Sequence, residues 1–229
     1  MKFDAILFDF DGVLIESEEA GNRHLAELLT ELGHPTTPAH AMAHFTGLSG
    51  DGFLDAVRGW IGGPLPNGFH EARAAEDARV VAEGVDEVIG AAAFVRSLPV
   101  SLPRAIVSSS KTHWIDAHLR HLGLRDAFGP HLYSGREHVA RGKPEPDLYL
   151  HGAAMLGVPI DRCVIIEDSL IGVTGAVKTG AYVIGLTAGT HCAPDHGARL
   201  LALGADAVAG DYAEVARLLD HRMEEHATA

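Results

Sequence analysis

The chain has 229 residues, nearly half apolar and 26 of them glycine, which is enough to bury a core without disulfides or metal staples, as one large domain or two small ones. Its formal net charge of −13 argues against nucleic-acid backbones and anionic membrane surfaces as partners, and leaves room only for a local anion site. Its two cysteines, Cys163 and Cys192, form no CxxC pair and are too few for a disulfide framework; they read as reduced thiols in a cytoplasmic protein.

Phe3 to Phe8 reads as a first buried strand, because its apolar residues run on without alternation, and it leads into Asp9 and Asp11 in the stretch FDFDG. From Glu16 to about Glu83 the patterns are helical, with no convincing strand. His24 to Leu29 is amphipathic and stops at Gly33; Asp51 to Trp60 is a second helical stretch. Gly62 to Gly68 is a breaker cluster, and Phe69 to Val81, rich in alanine and charge, is helical again. Strand patterns return with Arg104 to Val107, followed by Ser108, Ser109 and Ser110. Cys163 to Ile166 is the next strand, ending at Glu167-Asp168; Tyr182 to Gly185 and the weaker Ala205 to Val208 follow. Helical stretches at Trp114 to Leu122, Asp147 to Leu156 and Leu170 to Thr179 lie between them. This order predicts an α/β fold: a Rossmann-like parallel-sheet core over residues 1–15 and 84–229, with an α-helical cap, residues 16–83, inserted after the first strand.

In an open parallel sheet, ligands bind at the carboxyl ends of the strands. There the predicted strands deliver Asp9 and Asp11, then Ser108, then Glu167 and Asp168. Four like charges do not sit together unpaired; either some are protonated or a cation is present. The all-oxygen donor set suits a hard ion, Mg²⁺ best of all. Lys143, set between Gly142 and Pro144 just ahead of a helix, supplies a further cation. Mg²⁺, a lysine and a serine hydroxyl make a phosphate site, and a carboxylate beside the phosphorus implies attack by aspartate and an aspartyl-phosphate. On a strand, residues two apart face the same way, so Asp9 and Asp11 are expected to address two sides of one phosphorus.

Taken together, FDFDG at Phe8–Gly12, the Ser108 strand end, GKPEPD at Gly142–Asp147 and IIEDS at Ile165–Ser169 resemble the haloacid dehalogenase superfamily, in its branch with a helical cap. The resemblance runs to about Leu219 and is weakest in the cap. It implies that Asp9 is the nucleophile and a metal ligand. It makes Asp11 the general acid and then the general base, with its backbone carbonyl on the metal. It gives the phosphoryl oxygens to Ser108 and Ser109, and has Lys143 bridge phosphate and Asp9. It makes Asp168 a Mg²⁺ ligand, and Glu167 a ligand or the support of one through water. The cap is expected to open for substrate and close against water.

The implied reaction is Mg²⁺-dependent hydrolysis of a small phosphate monoester, a sugar or sugar-acid phosphate, through an aspartyl-phosphate. Asp11 argues against dehalogenation, which in this superfamily lacks the second aspartate; the lack of any lysine between Lys2 and Lys111 argues against phosphonate hydrolysis, which needs a cap lysine. The alternative is a β-phosphoglucomutase-like phosphosugar mutase, which FDFDGVL and EDSLIG also resemble. That enzyme needs cations for a second phosphate, yet Gly21 stands at the histidine position, Thr46 to Asp51 holds no arginine, and the cap has no lysine. Arg23, Arg58, Arg73, Arg79 and His24 keep the mutase open. Glu16-Ser17-Glu18, where the family often has an aspartate before the serine, bears on the cap's hinge and not on the core chemistry. A binding protein that no longer turns over is disfavoured by intact Asp9, Asp11, Lys143 and Asp168.

The remaining conspicuous residues carry plainer readings. Ser110 and Ser169 read as helix N-caps, and Trp60 and Trp114 as packing residues. His191, Cys192, Asp195 and His196 read as loop residues rather than a metal cluster, and His113, His118 and His121 share no helix face. Glu224-Glu225 reads as a frayed end. No apolar run reaches the ~18 residues of a membrane helix, and the opening residues do not read as a signal peptide. The expected partner is a small phosphorylated metabolite, with neither nucleic acid nor membrane, for a cytoplasmic monomer or small homo-oligomer.

Overall fold

The computed structural model describes residues 3–46, 48 and 50–224, the side chains of the last four excepted. Gly47 and Ser49 of the loop expected to hold a mutase arginine, and Glu225 of the tail, lie outside the described residues. The chain divides into two compact units: Met1–Glu16 with Asp86–Ala229, and Ser17–Val85.

The first strand, β1, is Ala5–Phe8. Four helices follow: α1 (Ser17–Glu31), α2 (Pro38–Phe45), α3 (Gly50–Ile61) and α4 (Phe69–Glu83). Then come α5 (Ala91–Ser97), β2 (Arg104–Ser108), α6 (Thr112–His121), α7 (Arg125–Phe128) and β3 (Leu132–Ser134). The chain continues through α8 (Asp147–Leu156), β4 (Cys163–Glu167), α9 (Leu170–Ala176) and β5 (Tyr182–Leu186), and closes with α10 (His196–Ala202), β6 (Ala207–Ala209) and α11 (Tyr212–Glu224). Among the described residues, no helix is long and apolar enough to cross a membrane.

The six strands form one sheet in the order β3-β2-β1-β4-β5-β6, every neighbouring pair parallel. All of β1, β2 and β4 is buried, which is why these strands read as unbroken apolar runs. Successive residues serve opposite faces. Leu7 packs in one cluster with Tyr149 of α8, Val173 of α9 and Leu200 of α10. Phe8 meets Phe94 of α5 and Phe128 of α7 edge-on, and Phe94 in turn meets Tyr212 of α11. Helices therefore cover both faces, the doubly covered parallel sheet that the element order predicts.

Helix α8 lies close against the sheet because it turns Gly152 toward it. A Cβ there would stand 2.7 Å from Val107 Cγ1 and 3.4 Å from Leu7 Cδ2. Since branched strand residues in a fully buried layer have nowhere to move, Gly152→Ala is expected to cost about 1–3 kcal/mol. Urea unfolding measures this, and an unchanged midpoint would mean that the helix–sheet layer yields.

Two expectations need correcting. Strand β1 starts at Ala5 and ends at Phe8, so Asp9 and Asp11 stand on the segment beyond it and not on a strand. The edge strand β3 went unseen because three residues cannot show a period. The stretch Leu170 to Thr179 is helical as expected, α to Ala176 and 3₁₀ from Val177 to Thr179.

The second unit has its own core, in which Leu25, Ala26 and Leu29 of α1 pack with Ala41, Phe45, Val57 and Phe69. Trp60 is not a core residue of this unit. It is 43 % exposed, stacks on His40 with ring centroids 3.5 Å apart, and donates its N–H to Thr36.

Candidate active site

The site grows from the end of β1. Asp9 N–H still bonds the Ile166 carbonyl of β4 at 2.9 Å; beyond it the chain turns back, with Leu14 and Ile15 both donating to the Phe10 carbonyl. Gly12 makes the turn at φ +77°, and a Cβ on it would overlap the Asp168 carboxylate, so both backbone and space require glycine there.

Lys143 stands between two carboxylates, 2.6 Å from Asp9 Oδ1 and 2.5 Å from Glu167 Oε1, its side chain only 3 % exposed. Burial opposes the charge on Lys143, but Asp9 and Glu167 hold its pKa above the usual lysine value. Glu167 is saturated with donors. Oε1 also faces Tyr149 Oη at 3.0 Å, and Oε2 accepts from Ser169 N–H and Oγ. Ser169 does cap α9, accepting from Gly172 N–H, and a Cβ on Gly172 would overlap Glu167 itself.

Asp11 turns toward the end of β2. Its Oδ2 accepts from Ser110 Oγ at 2.6 Å and from Ser108 Oγ at 3.3 Å, and its Oδ1 accepts from Trp114 Nε1 at 3.1 Å. Ser110 is therefore not a helix cap; Lys111 holds that position on α6, and the Ser110 hydroxyl serves Asp11 instead. Trp114 likewise does more than pack. Ser109 sits half-buried between the two serines that reach Asp11.

Asp168 is gripped by the segment after β5. His191 Nε2 lies 2.8 Å from Asp168 Oδ2, and His196 Nε2 lies 2.6 Å from the Asp168 carbonyl oxygen. Burial opposes a charge on His191, but its hydrogen bonds to Asp168 and Cys192 carry its pKa up to about 11.

Asp9, Glu167 and Asp168 are all buried, with ligand atoms within 4.8 Å of one another. Burial and the charge of Glu167 push the Asp9 carboxyl above its usual range, with Lys143 opposing. Asp168 Oδ1 is buried and has no hydrogen-bond partner. Such an oxygen is costly unless the carboxyl is protonated or a cation meets it. The donor set is all oxygen and fits a hard cation, so this acidic group can hold a metal ion.

The geometry thus gathers Asp9, Lys143, Glu167 and Asp168 in one cluster and sets Asp11 with Ser108 in another, joined through the Asp9–Gly12 turn. A model of haloacid dehalogenase-like hydrolases matches residues 3–180. The chain belongs to that family. It is 31% identical over 195 residues to hexitol phosphatase A of Escherichia coli K12, covering 82% of this chain and 85% of that protein. It is 26% identical over 194 residues to 6-phosphogluconate phosphatase of the same organism, covering 84% and 86%. A haloacid dehalogenase family hydrolase from Deinococcus radiodurans, whose crystal structure holds phosphate and sodium, superposes with a TM-score of 0.81 at 36% identity, covering 96% of each chain.

Five site residues escaped sequence reasoning: Ser110, Trp114, Tyr149, His191 and His196. The rule that ligand groups gather past strand ends applied to β5 as it did to β1, β2 and β4, and pointed at the Thr187–His191 segment. Nothing in the sequence marked Trp114 or Tyr149 as other than core aromatics.

Proposed function

We propose that this hydrolase is a Mg²⁺-dependent phosphatase acting on a small phosphate monoester, a sugar or sugar-acid phosphate. The observation that carries the reading is Asp9 held by Lys143 beside a buried carboxylate oxygen, Asp168 Oδ1, that has no donor. The phosphatase names of two relatives support it, as does the phosphate bound to the Deinococcus hydrolase.

In this reading Lys143 fixes Asp9 through Oδ1, and Asp9 attacks phosphorus with Oδ2. The new bond is Oδ2–P; the bond that breaks is from phosphorus to the sugar oxygen, which takes its proton from Asp11. Ser110 and Trp114 hold the Asp11 carboxyl for that transfer. Water then attacks phosphorus, gives its proton to Asp11, and releases phosphate and the free Asp9 carboxylate. Ser108 and Ser109 bind the phosphoryl oxygens. Asp9, Asp168 and the Asp11 carbonyl would hold Mg²⁺, which when bound supplies positive charge against the phosphoryl oxygens. Glu167, its oxygens taken by Lys143, Tyr149 and Ser169, works on Lys143 rather than on the metal.

The helical unit supports a phosphatase over a mutase. Its four arginines each lie within 4 Å of a carboxylate on their own helix: Arg23 with Glu19, Arg58 with Asp55, Arg73 with Asp77, and Arg79 with Glu76 and Glu83. His24 is likewise taken by Glu76, at 2.5 Å. These pairs are weak, but among the described residues of that unit they leave a second phosphate no arginine or lysine without a carboxylate beside it.

The test is inorganic phosphate release from hexitol phosphates, 6-phosphogluconate, sugar 6-phosphates and β-glucose 1-phosphate, with Mg²⁺ and with EDTA. Release that prefers one substrate and stops in EDTA is expected. Conversion of glucose 1-phosphate to the 6-phosphate with no net release would make the chain a mutase, and equal release in EDTA would remove the metal.

A further inference from the structure

We propose that His191 is a positioning residue for the metal site: its Nε2–H pins Asp168 Oδ2 and so presents Oδ1 to the ion. The inference rests on the reading of Asp168 as a metal ligand. Three features carry it. First, the His191–Asp168 contact is 2.8 Å long and lies out of water, with both side chains at most 4 % exposed. Second, the two oxygens of Asp168 differ: one meets His191, while the other is buried with no partner at all. A carboxylate free to rotate would exchange its oxygens; one held at Oδ2 cannot, so the unpartnered oxygen has a fixed direction.

Third, the imidazole is itself confined. Its Cε1 would stand 2.9 Å from a Cβ on Gly12 and 2.6 Å from one on Gly189, so two glycines make its slot. The surrounding segment is tied down as well. Thr190 donates its N–H and Oγ to the Glu16 carboxylate, the hydroxyl at 2.8 Å, and His196 reaches the Asp168 carbonyl oxygen. The segment from Gly189 to His196 thus holds Asp168 by side chain and main chain together. A partner that orients a metal-binding group in this way governs affinity about as strongly as a weak ligand does, typically 10–100-fold.

The direct test is Mn²⁺ binding to the free enzyme, followed by electron paramagnetic resonance, on two variants of like size. His191→Gln keeps an N–H near the Nε2 position; His191→Met fills the same slot without one. His191→Met is expected to weaken Mn²⁺ binding about 10–100-fold. His191→Gln is expected to stay within about threefold of wild type, because the donor rather than the imidazole does the positioning. Thermal melts in EDTA establish that each variant folds, with His191→Leu replacing the methionine variant should that one fail. In turnover, the Mg²⁺ concentration for half-activation should rise with the loss of the donor, while kcat at saturating Mg²⁺ recovers. Mn²⁺ affinity of His191→Met equal to wild type would overturn the role of His191 and leave the metal site standing. Equal weakening in the Gln and Met variants would overturn it too, since it would make the imidazole a packing group. Wild-type protein that binds no Mn²⁺ would overturn the metal assignment itself, and the proposal with it.

Discussion

Asp9→Asn is expected to lower phosphate release by at least about 10⁴-fold, with a fold and a melting temperature close to wild type. The amide keeps the shape of the side chain but has no anionic oxygen to form the bond to phosphorus. It also replaces one half of the ion pair with Lys143, which retains Glu167 at 2.5 Å and so stays charged and in place. The loss therefore belongs to the chemical step and not to collapse of the site. Rapid quench with a labelled substrate should trap a phosphorylated protein with wild type and none with Asp9→Asn. Activity within 100-fold of wild type, or a phosphorylated intermediate on the variant, would remove Asp9 as the nucleophile. A matched loss in Asp11→Asn, with phosphorylated protein still accumulating from a substrate whose leaving group needs no proton, would separate the two aspartates by role.

What made the sheet legible was its burial. Ile6, Leu7 and Phe8, like Val164, Ile165 and Ile166, are fully buried and read as apolar runs in any window. Leu132–Ser134 is no less a strand, but a three-residue edge carries no pattern to find. The acidic residues of the site were legible because nothing structural explains carboxylates at the ends of buried strands. The groups that hold them were not. Tyr149, fully buried in the face of α8 that packs on the sheet, is chemically indistinguishable in sequence from a core tyrosine; only the fold brings its hydroxyl to Glu167. Trp114 likewise sits two residues into α6, where an aromatic most often packs. Ser110 fails to cap because of where it stands: Lys111 is the N-cap of α6, so Ser110 lies one residue too early to cap, and its hydroxyl donates to the Asp11 carboxylate instead. Both aspartates do lie past the end of β1, but the strand geometry expected to explain their spacing does not reach them. Asp9 is still bonded through its N–H to Ile166 of β4, and the tight turn at Phe10–Ile15 that follows lets Asp11 reach the end of β2.

Lys143→Met is the substitution expected to cost stability most. Lysine there is buried between Asp9 and Glu167, and methionine would leave both carboxylates buried with no cation between them. Breaking a buried pair from one side typically costs about 3–5 kcal/mol, because the remaining charge has lost both water and partner. Measured by urea unfolding in EDTA, a loss of that size is expected, together with a fall in phosphate release of at least about 10²-fold. The double variant Lys143→Met with Glu167→Gln should then be more stable than Lys143→Met alone. In wild type, glutamine at 167 would be costly, since both Glu167 oxygens accept hydrogen bonds and an amide turned either way sets its NH₂ against an N–H donor. With Lys143 gone, that conflict disappears: the amide oxygen can take the Ser169 donors while the NH₂ faces Asp9 and Tyr149 Oη, whose proton turns to the Gly172 carbonyl. Activity should not return, because the cation beside Asp9 is still missing. A double variant no more stable than Lys143→Met would mean that the unpaired charge of Glu167 is not what the lysine offsets, and the cluster would have to be held by Asp9 and Lys143 alone.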